Sequence, residues 1–487
     1  MPKLSTDVKT RLFARRTAWV FLEKASQQIM MFAVFAIVAR DIGPGEFGII
    51  SVCFIFIALA QLQNLGLSDG IVALRIEERS TLSAIFLVIL LINLGMAAAL
   101  YLAAAPIAAL LGMPEAAPYL RWLAPLSVLS ALQAVPNAIL QGAMEFRKLS
   151  LRTTIATFGG AVVGIGCSRN GLGAYSLIAQ QIVQFLVANF IVWKSISWRP
   201  TYRIGNCDLW SGLKPGLRLT AVYLIEFCET QIPRLLVALV LGPISAGYYA
   251  FGGRIWQAVK EIVILPIAAV LFPTLIREQN NAVEFSATFN RALVCTTGFV
   301  ILAVAMFAGA SSLLVGFLFG EKWLPATQFV SLFMAANILT PIGLVYRNTF
   351  RALNRLGAYL RIQCVIVASN LIGIYIGSHY GLNATLGVTA LSYAISIPLL
   401  HKRLGQLILS PPEPVWRATL SFMAAGFITF LIGRSTSHFL TPLIGNMATL
   451  ALALPCGLIA YIVGCRLLGL DIVRLLYGSV KLQSRTL

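Results

Sequence analysis

Several apolar runs in this sequence are too long for the helices of an ordinary soluble domain. Ala84–Leu111 and Asn446–Cys465 are examples, and each exceeds the roughly 18 apolar residues expected of a membrane-spanning helix. The whole chain has the same character, because 58% of its residues are hydrophobic and only 11% are charged, whereas soluble domains carry about 25% charged residues. The sequence therefore predicts an all-α polytopic membrane protein.

Fourteen apolar segments can be marked, and the loops between them are too short for a soluble domain. They cover residues 18–39, 47–67, 82–105, 119–141, 150–168, 172–193, 217–241, 247–272, 288–309, 326–346, 358–378, 383–400, 416–433 and 442–465. With the N-terminus in the cytoplasm, the outer connections hold few basic residues: Arg40, Arg121, Arg169, Lys322 and Arg434. This bias follows the positive-inside rule. We expect a multi-pass protein of the cell inner membrane with both termini in the cytoplasm.

The net charge of +19 has an explanation in the same asymmetry. Basic inner loops meet anionic lipid headgroups, so we expect membrane lipids as partners and no nucleic acid. The N-terminal residues are too polar for a cleaved signal peptide. The eight cysteines are scattered without a CxxC pair, which indicates free thiols. We predict no metal and no cofactor, and the lack of a hydrolase triad, a Walker motif or large outer loops predicts that the chain is not an enzyme.

Two related turns indicate an internal repeat. Asp41–Ile49 follows the first span and Val240–Tyr249 follows the seventh, and their Gly-Pro motifs coincide at an offset of 199 residues. Both copies begin on the inner side, so the repeats are parallel six-helix units, which place a substrate site between the halves. We expect an N-lobe over residues 1–199 (spans 1–6) and a C-lobe over 200–405 (spans 7–12) around a central cavity. Residues 406–487 then form two extra helices and a cytoplasmic tail.

Eight charged residues lie well inside the predicted spans, where a charge costs about 2.5–3.5 kcal/mol on insertion scales. They are confined to the first, seventh and eighth spans: Glu23, Lys24, Glu226, Glu229, Arg234, Arg254, Lys260 and Glu261. Helical spacing aligns six of them (Glu23, Lys24, Glu226, Arg234, Arg254 and Glu261) into polar stripes, to which Gln27, Gln28, Tyr223, Thr230 and Gln257 also belong. Lipid would reject such stripes, so they predict the lining of an internal wet cavity. Pro233 predicts a bend in the seventh span.

Two other interpretations of these charges remain open. Four acids and four bases can neutralise one another as buried pairs that fix helix packing. Lys24 can also extend its long side chain towards the inner headgroups. The cavity interpretation rests on the clustering of the charges in the first and seventh spans, which are equivalent in the repeat.

An anionic substrate would need net positive charge in this cavity. We therefore predict substrate-binding roles for basic residues and amides of these three spans, namely Lys24, Arg234, Arg254, Lys260, Gln27, Gln28 and Gln257. Arginine in particular suits phosphate because its fork is planar. Protonation or cation binding at Glu23, Glu226, Glu229 or Glu261 would leave the cavity with net positive charge. Protonation is favoured there because a low-dielectric site raises the pKa of a carboxylate. This is a hypothesis of proton- or sodium-coupled exchange, with Glu226, Glu229 and Asn370 as cation ligands.

Several stretches resemble polysaccharide exporters. The run "IGPGEFGIISVCFIFIALAQLQNLGLSDGIV" from Ile42 to Val72 is similar to the second helix of that family, in which a Gly-Pro-x-x-(Phe/Tyr)-Gly turn precedes a span that ends in Asp/Asn-Leu-Gly-Leu. Asn170–Gln184 resembles the start of the sixth helix, and Leu140–Ser150 resembles the end of the fourth. The chain thus resembles Wzx-type lipid-linked oligosaccharide flippases of the multidrug/oligosaccharidyl-lipid/polysaccharide exporter superfamily, in the colanic-acid and exopolysaccharide exporter branch.

The resemblance implies alternating access by two lobes. It implies movement of an undecaprenyl-diphosphate-linked oligosaccharide repeat unit across the inner membrane for exopolysaccharide or lipopolysaccharide synthesis. In the related peptidoglycan precursor flippase, basic residues of helices one and eight line the cavity, and Lys24 and Arg254 lie in those helices here. A polysaccharide polymerase and chain-length proteins are further expected partners. The alternative is a multidrug or small-metabolite cation-coupled antiporter of the same fold, for which excess acid in the cavity is expected.

Overall fold

The computed structural model describes residues 28, 30–201, 209–407 and 416–468. Throughout these ranges the regular structure is helical, and no strand occurs in them. The predicted all-helical architecture is therefore confirmed for the described part of the chain. The chain forms two compact units, residues 18–250 and residues 251–487. The lobes predicted over 1–199 and 200–405 are defined by the sequence repeat, and their bounds differ from those of the two compact units. The lobes therefore stay predictions.

The first unit holds helices α1 to α9 and most of α10. Their bounds are α1 (described over residues 28 and 30–41), α2 Pro44–Leu74, α3 Arg79–Leu102, α4 Ala104–Leu110, α5 Ala116–Leu123, α6 Pro125–Gly142, α7 Phe146–Arg169, α8 Tyr175–Ser195, α9 Leu209–Thr230 and α10 Ile232–Val259. Its core lies where α2, α3 and α6 pack. There Asn93 Nδ2 donates to Asn64 Oδ1 at 2.8 Å, and Asn64 Nδ2 donates to Ser130 Oγ at 2.7 Å. Buried amides need hydrogen-bond partners, and here the partners lie on neighbouring helices. The bonds therefore hold the three helices together.

The second unit begins at Phe251 in α10. It continues through a π-helix Lys260–Ile264, α11 Leu265–Glu278, α12 Ala282–Gly309, α13 Ser311–Phe319, a 3-10 helix Glu321–Ala326, α14 Thr327–Ala336, α15 Thr340–Ala352, α16 Leu356–Ser378, α17 Leu382–Gly405 and α18 Trp416–Leu467. The two extra C-terminal spans form α18, which breaks at Gly445 and packs on α12. Tyr461 Oη donates to the Gly298 carbonyl at 2.6 Å, and Gly309 lies against Gly433.

Twelve helices within the described ranges are long and apolar enough to cross a membrane. One of these, Leu219–Glu278, has 60 residues. At 1.5 Å per residue it measures about 90 Å along its course, whereas a bilayer core is about 30 Å thick. Gly242 breaks it with a φ of 81°, as the two predicted spans 217–241 and 247–272 require. The total of fourteen spans stays a prediction, because residues 18–27 of the first span lie outside the described ranges.

Both repeats interrupt the chain in the same way after their third span. A short helix follows, α4 in one copy and α13 in the other, and then a glycine with positive φ, Gly112 at 65° and Gly320 at 86°. The next span is broken in both copies, into α5 and α6 and into α14 and α15. The bend predicted at Pro233 is also confirmed, because α9 ends at Thr230 and α10 starts at Ile232.

Candidate functional site

The polar stripe of the first span is only partly described. Glu23, Lys24 and Gln27 lie outside the described residues. Gln28 is helical and half-buried. The predicted roles of all four residues therefore stay predictions.

The stripe of the seventh span touches α2 at two points. Tyr223 Oη donates to Asp69 Oδ2 at 2.5 Å, and Arg234 Nη1 donates to the Ser51 carbonyl at 3.3 Å. Between these points Glu226 is exposed and Glu229 is half-buried. Part of the stripe thus fixes the packing of α9 and α10 on α2, and the rest leaves a carboxylate accessible on the same helix.

Asp69 lies beyond the end of the predicted second span, 47–67, and is not among the predicted site residues. In the structure α2 continues to Leu74, and Asp69 is half-buried inside it. The available signal was the apolar run that resumes at Ile71 after Ser68, Asp69 and Gly70. A polar triplet between two apolar stretches of one helix marks a polar contact rather than a loop.

Glycines set the distance between α2 and its partners. A Cβ on Gly48 would lie 1.9 Å from the carbonyl oxygen of Pro243, and a Cβ on Gly247 would lie 1.9 Å from the carbonyl oxygen of Pro44. Gly66 and Gly216 make a second close contact, in which a Cβ on Gly66 would lie 2.6 Å from the backbone nitrogen of Thr220. Only residues without a Cβ allow the backbones to approach this closely.

The first of these contacts is reciprocal. Pro44 and Gly48 belong to one copy of the Gly-Pro motif, and Pro243 and Gly247 belong to the other. Each glycine meets the proline of the opposite copy at the same distance, as two-fold related surfaces do. We call this contact the Gly-Pro seam. It shows that the sequence repeat is also a local structural symmetry.

The stripe of the eighth span lies where the backbone changes from α to π. Gln257 Nε2 donates to Glu261 Oε1 at 2.6 Å, and Glu261 interacts electrostatically with Arg254, which is exposed. The predicted shared face of these three residues is therefore confirmed. Lys260 and Glu261 open the π-helix Lys260–Ile264. Short π segments inside α-helices occur frequently at functional sites.

Asn370 lies on α16 with 4% of its surface exposed. Its Oδ1 accepts no hydrogen bond from the residues that the structure describes. Glu226 and Glu229 lie in the first unit, and Asn370 lies in the second. A cation site that combines them stays a prediction, as do the substrate-binding roles of Arg234, Arg254, Lys260 and Gln257.

The chain is similar in sequence to known proteins and similar in fold to a solved structure. The polysaccharide biosynthesis protein family matches residues 37–328. The succinoglycan biosynthesis transport protein ExoT of Rhizobium meliloti (strain 1021) is 28% identical over 344 residues, which are 69% of this chain and 69% of ExoT. The lipopolysaccharide biosynthesis protein WzxC of Escherichia coli (strain K12) is 24% identical over 399 residues, 77% of this chain and 79% of WzxC.

A solved structure of the lipid II flippase MurJ in an inward closed conformation has the same fold. It aligns with a TM-score of 0.75 and 16% sequence identity, covering 94% of this chain and 99% of MurJ. At this identity the likeness concerns the fold alone.

Proposed function

Because the chain belongs to the polysaccharide biosynthesis protein family, we propose that it is a flippase for a polyprenyl-diphosphate-linked oligosaccharide repeat unit in the cell inner membrane. ExoT is named as a transport protein of succinoglycan biosynthesis, and MurJ, whose fold is shared, is a lipid II flippase. The family match confirms the resemblance that the motifs indicated. A transport role, rather than catalysis, and an association with polymerase and chain-length proteins belong to the same proposal.

The observation that carries this proposal is the polar stripe of the eighth span. Arg254, Gln257 and Glu261 share one face of a helix that is otherwise apolar enough to cross a membrane. A lipid-facing charge there is costly, so charges in spans mark substrate or ion pathways by default. Arginine binds phosphate oxygens in a planar fork. The stripe is thus suited to hold the diphosphate that links lipid and sugar.

Alternating access also needs two halves that close and separate. The Gly-Pro seam supplies a closure between copies of the repeat, since its backbones meet without intervening side chains. We propose that the seam closes one end of the pathway in this conformation.

The test is transport by Arg254→Ala in proteoliposomes that contain a fluorescent polyprenyl-diphosphate-linked oligosaccharide. Arg277→Ala is the matched control, because Arg277 is an exposed arginine in the last turn of α11, on the same continuous helical segment. We expect loss of flipping in Arg254→Ala and normal flipping in Arg277→Ala. Normal flipping by a stably inserted Arg254→Ala protein would remove the charged-cavity assignment.

The alternative is a multidrug or small-metabolite antiporter of the same fold. A cationic substrate favours excess acid, whereas the intramembrane acids and bases of this sequence are balanced. Efflux of a cationic dye that depends on a pH or sodium gradient, with no flipping of the lipid-linked oligosaccharide, would establish the alternative. Coupling of flipping to the same gradients would support proton or sodium exchange at Glu226 and Glu229.

A further inference from the structure

A cavity of about 440 Å³ lies in the first unit, and none of the stripe residues named above lines it. It is formed where four parts of the chain end or begin: the end of α1, the start of α2, the start of α5 and the connection from α7 to α8. All of these are ends that the predicted topology places on the outer side of the membrane. Its volume falls in the range of small-molecule sites, about 300–1,000 Å³.

Two carboxylates line this cavity, and other groups hold them in place. Buried Ser168 Oγ donates to Asp41 Oδ2 at 2.5 Å. The backbone N–H of Ala174 donates to Glu46 Oε1 at 2.6 Å. Gly173 makes this second bond possible, because its φ is 50° and a Cβ there would lie 2.3 Å from Glu46 Oε1. The acids are therefore positioned by the fold rather than free to rotate away.

A second set of groups in the cavity is aromatic. The rings of Tyr119 and Tyr175 meet edge to face, with centroids 4.9 Å apart and an interplanar angle of 70°. Both are half-buried and both line the cavity. Tyr119 Oη lies 3.5 Å from Glu46 Oε1, so the aromatic and acidic groups form one surface. Such rings offer an apolar body beside a polar tip.

The carboxylates and tyrosine rings that line the cavity determine which class of ligand can bind there. Ionised carboxylates only accept hydrogen bonds, so the ligand must be rich in donors, and two acids repel a phosphate. A hard cation would be held by several converging oxygen ligands, yet the described residues contain no group of three or more acids, histidines or cysteines that could hold a metal ion. A sugar fits better, since its hydroxyls donate to carboxylates and its C–H face packs on a tyrosine ring.

We propose that this cavity binds a neutral sugar of the transported glycan, with hydroxyl groups donating to Asp41 and Glu46 and the pyranose ring lying against Tyr119. The proposal rests on the proposed function for the source of the sugar. It adds a glycan subsite whose lining does not include the arginine of the eighth span. The four surrounding chain segments make it part of the scaffold rather than of one loop.

Binding is measured by saturation-transfer NMR on the purified full chain in detergent, with methyl α-glucopyranoside and methyl α-galactopyranoside as probes. We expect a signal from the native chain and a loss of about tenfold in affinity in Asp41→Asn, because hydrogen bonds to charged acceptors are the strong ones. Tyr119→Leu removes the ring face and should weaken binding as well. Tyr119→Leu replaces Asp41→Asn as the test variant if Asp41→Asn yields too little folded protein.

Two controls define the result. Glu145→Gln removes an exposed acid that precedes α7, and Arg277→Ala changes an exposed arginine of α11. Neither residue lines the cavity, so both variants should bind the glycosides normally. No signal from the native chain, or a signal that survives Asp41→Asn and Tyr119→Leu, overturns the proposal. Calcium or sodium binding that is lost in Asp41→Asn, without glycoside binding, also overturns it.

Different experimental results would reject the glycan subsite and the proposed function. Flipping of the lipid-linked oligosaccharide by a native chain that binds neither glycoside rejects the subsite and keeps the function. Glycoside binding by a chain that moves no lipid-linked oligosaccharide keeps the subsite and rejects the function.

Discussion

Gly48→Ala tests the Gly-Pro seam most directly. The new Cβ would lie 1.9 Å from the Pro243 carbonyl oxygen and 2.8 Å from the Gly247 nitrogen, whereas real Cβ contacts essentially never fall below 3.0 Å. Both clashing atoms belong to backbone, so no side chain can turn away and the helices themselves must separate. Overpacking of this kind costs about 1–3 kcal/mol, which is a factor of about 5 to 150 in the unfolding equilibrium.

Gly45→Ala is the matched control. Gly45 lies in the same first turns of α2, but the nearest atom to its Cβ is Ile244 Cγ1 at an ordinary 3.6 Å. Alanine also favours a helix over glycine by about 1 kcal/mol, so Gly45→Ala should equal or exceed the native chain in stability. The two variants have the same chemistry and differ only in what the methyl group meets.

The assay is thermal unfolding in detergent, followed by a thiol-reactive dye. Cys53 and Cys465 are fully buried and react only on unfolding, whereas the exposed Cys364 and Cys456 set the baseline. We expect a lower midpoint for Gly48→Ala and an unchanged or higher one for Gly45→Ala. Equal midpoints for the two variants would refute the close backbone contact.

The symmetry of the Gly-Pro seam also predicts the effect of alanine at its second glycine, Gly247. Gly247→Ala meets the Pro44 carbonyl at the same 1.9 Å, so it should cost about as much as Gly48→Ala. Once the helices have separated for one methyl group, the second fits at little cost, and the double variant should lose less than the sum of the single losses. Additive losses would show that the two glycines do not share one contact.

Three other variants test the site residues. Tyr223→Phe removes the hydroxyl that donates to Asp69; at this half-buried position we expect a loss of about 1 kcal/mol, and unfolding at the native midpoint would contradict the bond. Lys24→Ala should abolish flipping while membrane insertion is unchanged, because the predicted phosphate attraction is lost; normal flipping would argue against that role. Glu226→Gln combined with Glu229→Gln should remove any dependence of transport on proton or sodium gradients, and an unchanged dependence would exclude these acids as coupling groups.

The sequence predicts the helices well where an apolar run alone determines them. The predicted segment 358–378 corresponds to α16 Leu356–Ser378, and 150–168 corresponds to α7 Phe146–Arg169. Membrane spans are predictable because backbone groups in lipid must be satisfied within the helix, so length and hydropathy suffice. The repeat was likewise readable, since its Gly-Pro motif is needed at both sides of the seam.

Other features depend on distant parts of the chain and could not be predicted locally. The span predicted at 119–141 is two helices, α5 and α6, which meet at Pro125. The short helices α4 and α13 follow the predicted segments 82–105 and 288–309, and the sequence predicts no separate helix at either place. Asp41 and Glu46 flank the first Gly-Pro turn, and the predicted segments 18–39 and 47–67 leave both of them in a loop. Their partners Ser168 and Ala174 are more than 120 residues away, so no local pattern brings them together.

Under the proposed function, the charges of the two sites suit different chemical parts of a lipid-linked oligosaccharide. Arg254 suits the diphosphate, and the outer cavity, with Asp41 and Glu46, suits the sugar and repels phosphate. Transport requires that each site release what it holds, as conduction requires weak sites in channels. The glycosides should therefore bind the outer cavity weakly, near the millimolar range. Tight binding there would retain the product and slow the flippase.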